Sequence, residues 1–160
     1  MINEIFKIDT NVRGIIRDAY TGRIKRISDY GSNLIVNSGR NTILDNLRNT
    51  THTNSGVITY GAVGTNDGAA AAAQEALIDE IARAIVVSPA SRRTAQTLTL
   101  RVYFAPEEAT GTLKEFGWFG GGINGNASGV ADSGTMYTRI VINETITDSE
   151  SLSIEQDFTW

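Results

Sequence analysis

The feature that most limits what this chain can fold into is the period-two alternation running through residues 94–160. In Thr94–Phe104, Leu98, Leu100, Val102 and Phe104 share one parity, while Thr97, Thr99, Arg101 and Tyr103 share the other. Thr112–Phe119 sets Leu113, Glu115 and Gly117 against Lys114, Phe116 and Trp118. Thr135–Asn143 puts Met136, Thr138, Ile140 and Ile142 on one face, and Ser151–Trp160 does the same with Leu152, Ile154, Gln156, Phe158 and Trp160. Successive side chains of a strand point to opposite faces, so each run has one face to bury. Several such runs separated by turn-rich stretches predict a mainly β chain, an antiparallel β-sandwich.

The first half is more mixed. Residues 13–28 read as a β-hairpin, with Thr21–Gly22 at the turn and the cation-rich run Arg23–Ile27 returning. Cations on an outgoing strand keep an exposed edge from sticking. We therefore divide the chain into an N-terminal hairpin arm at 1–30 and a sandwich domain at 31–160. Ser38 followed by Ile43, Leu44 and Leu47 at helical spacing predicts a capped amphipathic helix over 39–48. Val57–Val63 reads as a buried strand. Leu77, Ile78 and Ile81 predict a second short helix near 74–82, and Arg83–Val87 turns β-like before Pro89.

Composition narrows the chemistry. The chain has 160 residues, no cysteine, one histidine and a formal net charge of −4. Without cysteine there is no disulfide, thiolate metal site or thiol nucleophile. A mildly acidic chain has no overall attraction to phosphate backbones, so nucleic acid is a poor partner. No apolar run reaches the ~20 residues that span a bilayer, so no membrane partner is expected. The segment Met1–Asn11 lacks the apolar core of a signal peptide. The charge is uneven. Arg13, Arg17, Arg23, Lys25 and Arg26 make the early segment basic, whereas Asp132, Glu144, Asp148, Glu150, Glu155 and Asp157 face only Arg139 near the end. These are either two solvated faces or complementary head-to-tail contacts between subunits.

Few residues carry a catalytic pattern. A Ser–His–acid triad would have to use His52, which sits in a polar Thr/Asn stretch where a solvated imidazole costs nothing. One histidine without cysteine leaves no zinc site, and no cofactor is expected. Glu107–Glu108 follows Pro106 in a turn. Glu115 shares parity with Leu113, so it is expected to point inward, where a carboxylate needs a partner. Arg139 and Arg83 are the candidates for that partner, and Glu80 stands three residues before Arg83. A structural ion pair is the favoured reading; a glycosidase-like carboxylate is the alternative. The glycines of 117–134 match neither nucleotide-binding glycine pattern. We read this segment as a mobile connection with room for a contact function. Trp118, Phe119 and Gly120–Gly122 join the basic hairpin as candidate interface residues, and Trp118, Phe119 or Tyr137 would form the aromatic platform of a carbohydrate-binding module.

The order of motifs resembles small virion proteins of tailed bacteriophages, of the tail-fibre, baseplate-associated and minor structural kind. Asn33–Asn41 leads into an amphipathic helix, and Ile58–Asn66 follows as a strand and turn. Leu77–Arg83 matches a "Leu-x-x-Glu-x-x-Arg" element, and Thr110–Phe119 matches "Thr-Gly-x-Leu-x-Glu-x-Gly-Leu-Phe" with Trp118 in place of Leu. Met136–Arg139 and the closing Ile154–Trp160 complete the series. The resemblance covers 33–160; the segment 120–134 is longer than the family pattern, and the basic hairpin precedes it. It implies a non-enzymatic virion component, made in the host cytoplasm and incorporated into the particle. Its partners would be other virion proteins and further copies of itself, at the tail or tail-fibre base. Capsid decoration or head-fibre anchoring is the alternative placement, and a host-surface glycan is a further candidate partner.

Overall fold

The computed structural model of the protein describes residues 8–47, 56–88 and 91–159. Its elements are β1 (Asp9–Asp18), β2 (Ile24–Gly31), β3 (Leu34–Ile35), α1 (Asn37–Leu47), β4 (Ile58–Gly64), β5 (Glu80–Ile85), β6 (Arg92–Thr94), β7 (Thr97–Phe104), β8 (Gly111–Gly120), β9 (Thr135–Ile146) and β10 (Glu150–Thr159). They form two five-stranded antiparallel sheets. Sheet I runs β2-β1-β10-β7-β6 and sheet II runs β3-β9-β8-β4-β5. The mainly β sandwich expected from the alternation is the observed fold.

The interior between the sheets is apolar. Val12, Ile16, Leu100, Val102, Phe104, Leu152 and Ile154 of sheet I meet Val63, Leu113, Phe116, Trp118, Tyr137, Ile140, Ile142 and Ile146 of sheet II. Each large side chain fully buried this way contributes about 1.5–3 kcal/mol. Phe116 and Trp118 meet edge to face, with ring centroids 5.0 Å apart. The polar tip of Trp118 is satisfied: Nε1 donates to Gln156 Oε1 at 2.5 Å, and Asn33 Nδ2 donates to the same oxygen at 2.8 Å.

The N-terminal hairpin is not an arm. β1 lies between β2 and β10 and pairs with β10 residue for residue from Asp9↔Thr159 to Asp18↔Glu150. Val12 and Ile16 are fully buried, so this strand belongs to the core and no domain boundary falls near residue 30. The helix near 74–82 is also absent. Leu77 drops into a small cluster with Val36, Ala62, Phe119 and Met136, and the chain is already extended from Glu80. Local spacing favoured a helix, but the backbone amides of Ile78 and Asp79 are taken by Glu115 instead.

α1 starts two residues earlier than expected and buries a different face. Its buried residues are Ser38, Gly39 and Thr42, while Leu44 and Leu47 stay exposed. Ser38 is not the cap; its hydroxyl donates to Met136 O at 2.7 Å. A Cβ at position 39 would collide with the Tyr137 backbone, so glycine lets the helix lie directly on β9.

Register shifts in the β8–β9 pair decide which way the key side chains point. One lies between Leu113 and Glu115, another between Trp118 and Phe119. Because of the first, Leu113 and Phe116 both reach the interior although they are three residues apart. Glu115 therefore points away from the sandwich interior, to the outer face of sheet II, contrary to the parity reading. It is buried all the same, because that face is covered.

Candidate functional site

The outer face of sheet II is roofed by two long connections, 65–79 and 121–134, each held by a buried ion pair. In the first, Arg139 Nε donates to Glu115 Oε2 at 2.9 Å, and Nη2 lies 2.8 Å from the same oxygen without hydrogen-bond alignment. Both side chains are fully buried. Glu115 accepts the amides of Ile78 and Asp79 at 3.0 and 2.8 Å, and Arg139 Nη1 donates to Gly68 O at 2.8 Å. Charge, donors and acceptors are thus spent on pinning the connection to the sheet. A Cβ at Gly64 would strike both Asp79 O and Glu115 Oε1, so glycine is needed where strand, roof and carboxylate meet.

In the second, Arg83 Nε and Nη2 donate to Glu80 Oε1 and Oε2 at 2.5 and 2.7 Å, with side chains 4% and 2% exposed. Arg83 Nη1 reaches Ser128 O at 3.0 Å and Ser133 O at 3.2 Å, and the guanidinium stacks over Phe119 at 4.7 Å. Sequence reading selected Glu80, Arg83, Glu115 and Arg139, and the structure pairs each carboxylate with one arginine. Both Glu115 oxygens are engaged, and nothing of the side chain meets solvent.

A third polar cluster closes the seam between β2 of sheet I and β9 of sheet II. Glu144 accepts from Arg26 Nε at 2.7 Å, Ser28 Oγ at 2.6 Å and Tyr30 OH at 3.1 Å. Glu150 takes Lys25 Nζ at 2.7 Å and Arg26 Nη1 at 3.0 Å. The hydrogen bond from Lys25 holds the Glu150 carboxyl at about 2. Burial, reinforced by the Glu144 charge, pushes the Tyr30 phenol well up.

The outer face of sheet I is finished differently. Its residues line up in cross-strand rows. Asp29, Arg13, Glu155 and Arg101 form one, and Ile27, Ile15, Ser153 and Tyr103 the next. Glu155 bridges two cations, with Arg13 Nη2 and Arg101 Nη2 each 2.5 Å from one of its oxygens. Thr99 Oγ1 donates to Asp157 Oδ1 at 2.6 Å. Around this ordered centre Ile27 is 61% and Tyr103 44% exposed. The face is open at these positions, Ile15 and Ser153 between them are buried, and its polar groups are held in place by their neighbours.

The residues proposed from sequence as interface fall into two sets. Trp118, Phe119, Gly120, Gly121 and Gly122 are buried within the chain and offer no surface. Trp118 packs between the sheets, and the others belong with the roof: 121–134 folds back as the Gly122–Gly125 bridge, Ala127 N donates to Gly120 O, and Tyr137 OH donates to Gly121 O at 2.8 Å. Burial pushes the Tyr137 phenol up to about 12. The aromatic platform of a glycan binder, expected from Trp118, Phe119 or Tyr137, is therefore interior. Among the basic residues, Lys25 and Arg26 serve the seam, Arg13 and Arg17 belong to β1, and Arg23 is exposed beyond the turn. Much of the basic–acidic complementarity is satisfied inside one chain, because the hairpin lies beside β10 and β9. His52 and Trp160 lie outside the described residues. Sequence reading set Arg101 and Tyr103 on the polar parity of 97–103 without singling them out as a contact surface, and it did not single out Ile27.

A cavity of about 410 Å³ opens at one end of the sandwich, lined by Ile35, Ile43, Ile58, Leu98, Leu100 and Phe158 among others. Its lining is apolar and holds no carboxylate, cation or imidazole among the described residues. Among those residues no group of three His, Asp or Glu could hold a metal ion, and no helix is long and apolar enough to cross a membrane. Compared with protein-family models, curated proteins and solved structures, the chain matches none.

Proposed function

We propose that this chain is a non-enzymatic structural subunit of a tailed-bacteriophage virion, seated at the tail or tail-fibre base. It holds a neighbouring virion protein through the open outer face of sheet I. Two things support the reading: the succession of motifs in 33–160 that resembles small virion proteins, and the contrast between the two outer faces. The second carries it. Sheet II hides its outer face under its own connections, while sheet I exposes Tyr103, Ile27 and Arg13, with Glu155 and Arg101 partly buried beside them. Tyrosine and arginine are among the residue types that dominate protein contacts. Glu155 fixes both guanidinium groups before any partner arrives, which lowers the ordering cost of association.

The test is particle composition. The protein should copurify with virions at fixed stoichiometry, and Tyr103→Ala combined with Arg13→Glu should abolish its incorporation without unfolding it. Absence of the wild-type protein from purified, infectious particles ends the proposal.

A further inference from the structure

We infer that the cavity at the end of the sandwich binds a medium-chain fatty carboxylate, its head on Arg40 and its chain in the apolar chamber with a chain oxygen at Thr138. The inference does not depend on a virion role. It starts from the size of the space. Protein interiors hold few voids larger than a water molecule. This chamber has about 410 Å³, within the range of small-ligand sites, about 300–1,000 Å³. Sheet I lends it Leu98 and Phe158, sheet II lends Ile35 and Ile58, and α1 lends Ile43. A second cavity, of about 470 Å³, shares Ile8, Ile35 and Ile43 with the first and adds Asn33, Leu34, Arg40 and Leu44. The two make one path, apolar within and carrying a cation on its exposed side.

Four polar side chains line this path among the described residues, and two of them are already spent. Tyr137 OH donates to Gly121 O, and the Asn33 amide exchanges two hydrogen bonds with Gln156, at 2.8 and 3.0 Å. The other two are left over. The Thr138 hydroxyl is buried without a hydrogen-bond partner. Thr138 stands opposite Trp118 in the β8–β9 register, so its side chain lies on the interior side, where the chamber is. A buried hydroxyl left unpaired is costly, and an oxygen on a ligand chain would satisfy it. The Arg40 guanidinium is exposed on α1 and makes no ion pair among the described residues. Guanidinium donors match the two oxygens of a carboxylate, so Arg40 favours that head group over a neutral or cationic one. Leu44, 62% exposed beside Arg40, continues the apolar wall outward.

The experiment is isothermal titration calorimetry of the purified full chain with decanoate, decanol, decyltrimethylammonium and decanoates hydroxylated at successive carbons. Decanoate should bind with a Kd of about 1–100 µM, the range open to a ligand of this size. Decyltrimethylammonium should bind at least about fivefold more weakly. Arg40→Gln should weaken decanoate about three- to fivefold and leave decanol unchanged; the position is exposed, so this variant keeps its fold. One hydroxylated decanoate should bind about fivefold more tightly than decanoate. Thr138→Val should abolish that gain without lowering the melting temperature, because the hydroxyl it removes has no partner. No binding of decanoate at about 1 mM overturns the inference, as does binding that ignores Arg40→Gln or accepts the cationic amphiphile equally. A hydroxylated series that gains nothing overturns the role given to Thr138. Because only purified protein is used, this outcome is separate from whether virions contain it.

Discussion

The two outer faces of this sandwich have similar strands beneath them and opposite fates. Sheet II has Phe119 and Met136 on its outer side, with the ion pairs Glu115–Arg139 and Glu80–Arg83, and all are covered by connections that fold back. Sheet I turns Arg13, Ile15, Glu155, Arg101 and Tyr103 outward; Arg13 and Tyr103 are exposed, while Ile15 is buried among its neighbours. On the covered face a charge is buried, so each must be paired to persist. On the open face the same residue types sit near water, where an ion pair contributes little to stability and mainly fixes geometry. Buried pairs here hold the chain's own connections in place; exposed pairs arrange a surface for something else.

Mutations should separate the faces by magnitude. Arg139→Ala leaves Glu115 charged and buried, and is expected to cost about 3–5 kcal/mol in denaturant unfolding. The double change Glu115→Leu with Arg139→Met should recover most of that loss; if it does not, the pair has a role beyond holding the roof. Gly64→Ala forces Asp79 and Glu115 apart and should cost about 1–3 kcal/mol, with faster amide exchange confined to 65–79.

Acid should act on the seam. Glu150 has a folded value of about 2 against an ordinary 4.5, so its stabilisation is full above about 4.5 and fades as pH falls toward 2. Glu150→Gln should flatten this limb of the stability–pH curve, and an unchanged limb would remove the seam from the account. The smallest effect belongs to the open face. Arg13→Gln should change unfolding free energy by no more than about 0.5 kcal/mol, because Arg13 is half exposed and Glu155 keeps Arg101. A cost near that of Arg139→Ala would erase the contrast between the faces.

The strands of the second half were legible in the sequence because their interior is apolar and strand period is fixed. Runs expected at 94–104, 112–119, 135–143 and 151–160 appear as β7 to β10 with ends moved by a few residues. Leu152, Ile154, Leu100 and Val102 face inward as their parity required. The candidate site was less legible. The four ion-pair residues stood out because a carboxylate among apolar neighbours needs a cation. Trp118 and Phe119 misled, because large aromatics next to a glycine run look the same whether the glycines form an exposed loop or a roof. The helix expected near 74–82 failed similarly: helical spacing of Leu77, Ile78 and Ile81 does not reveal that a carboxylate far along the chain will take two of the segment's amides.

What the sequence determined by itself was period and inventory: which runs are strands, which residue types need burial, and which charges need partners. These follow from side-chain chemistry and the geometry of an extended backbone, both local. What only the tertiary structure decided was facing and cover. A register shift between two strands turns Glu115 outward, a roof then buries it, and a hairpin that reads as an arm becomes one side of a sheet by pairing with the other end of the chain. Such choices depend on how strands far apart in sequence align, and that alignment is set by the packing of the whole interior, which no short window of residues contains.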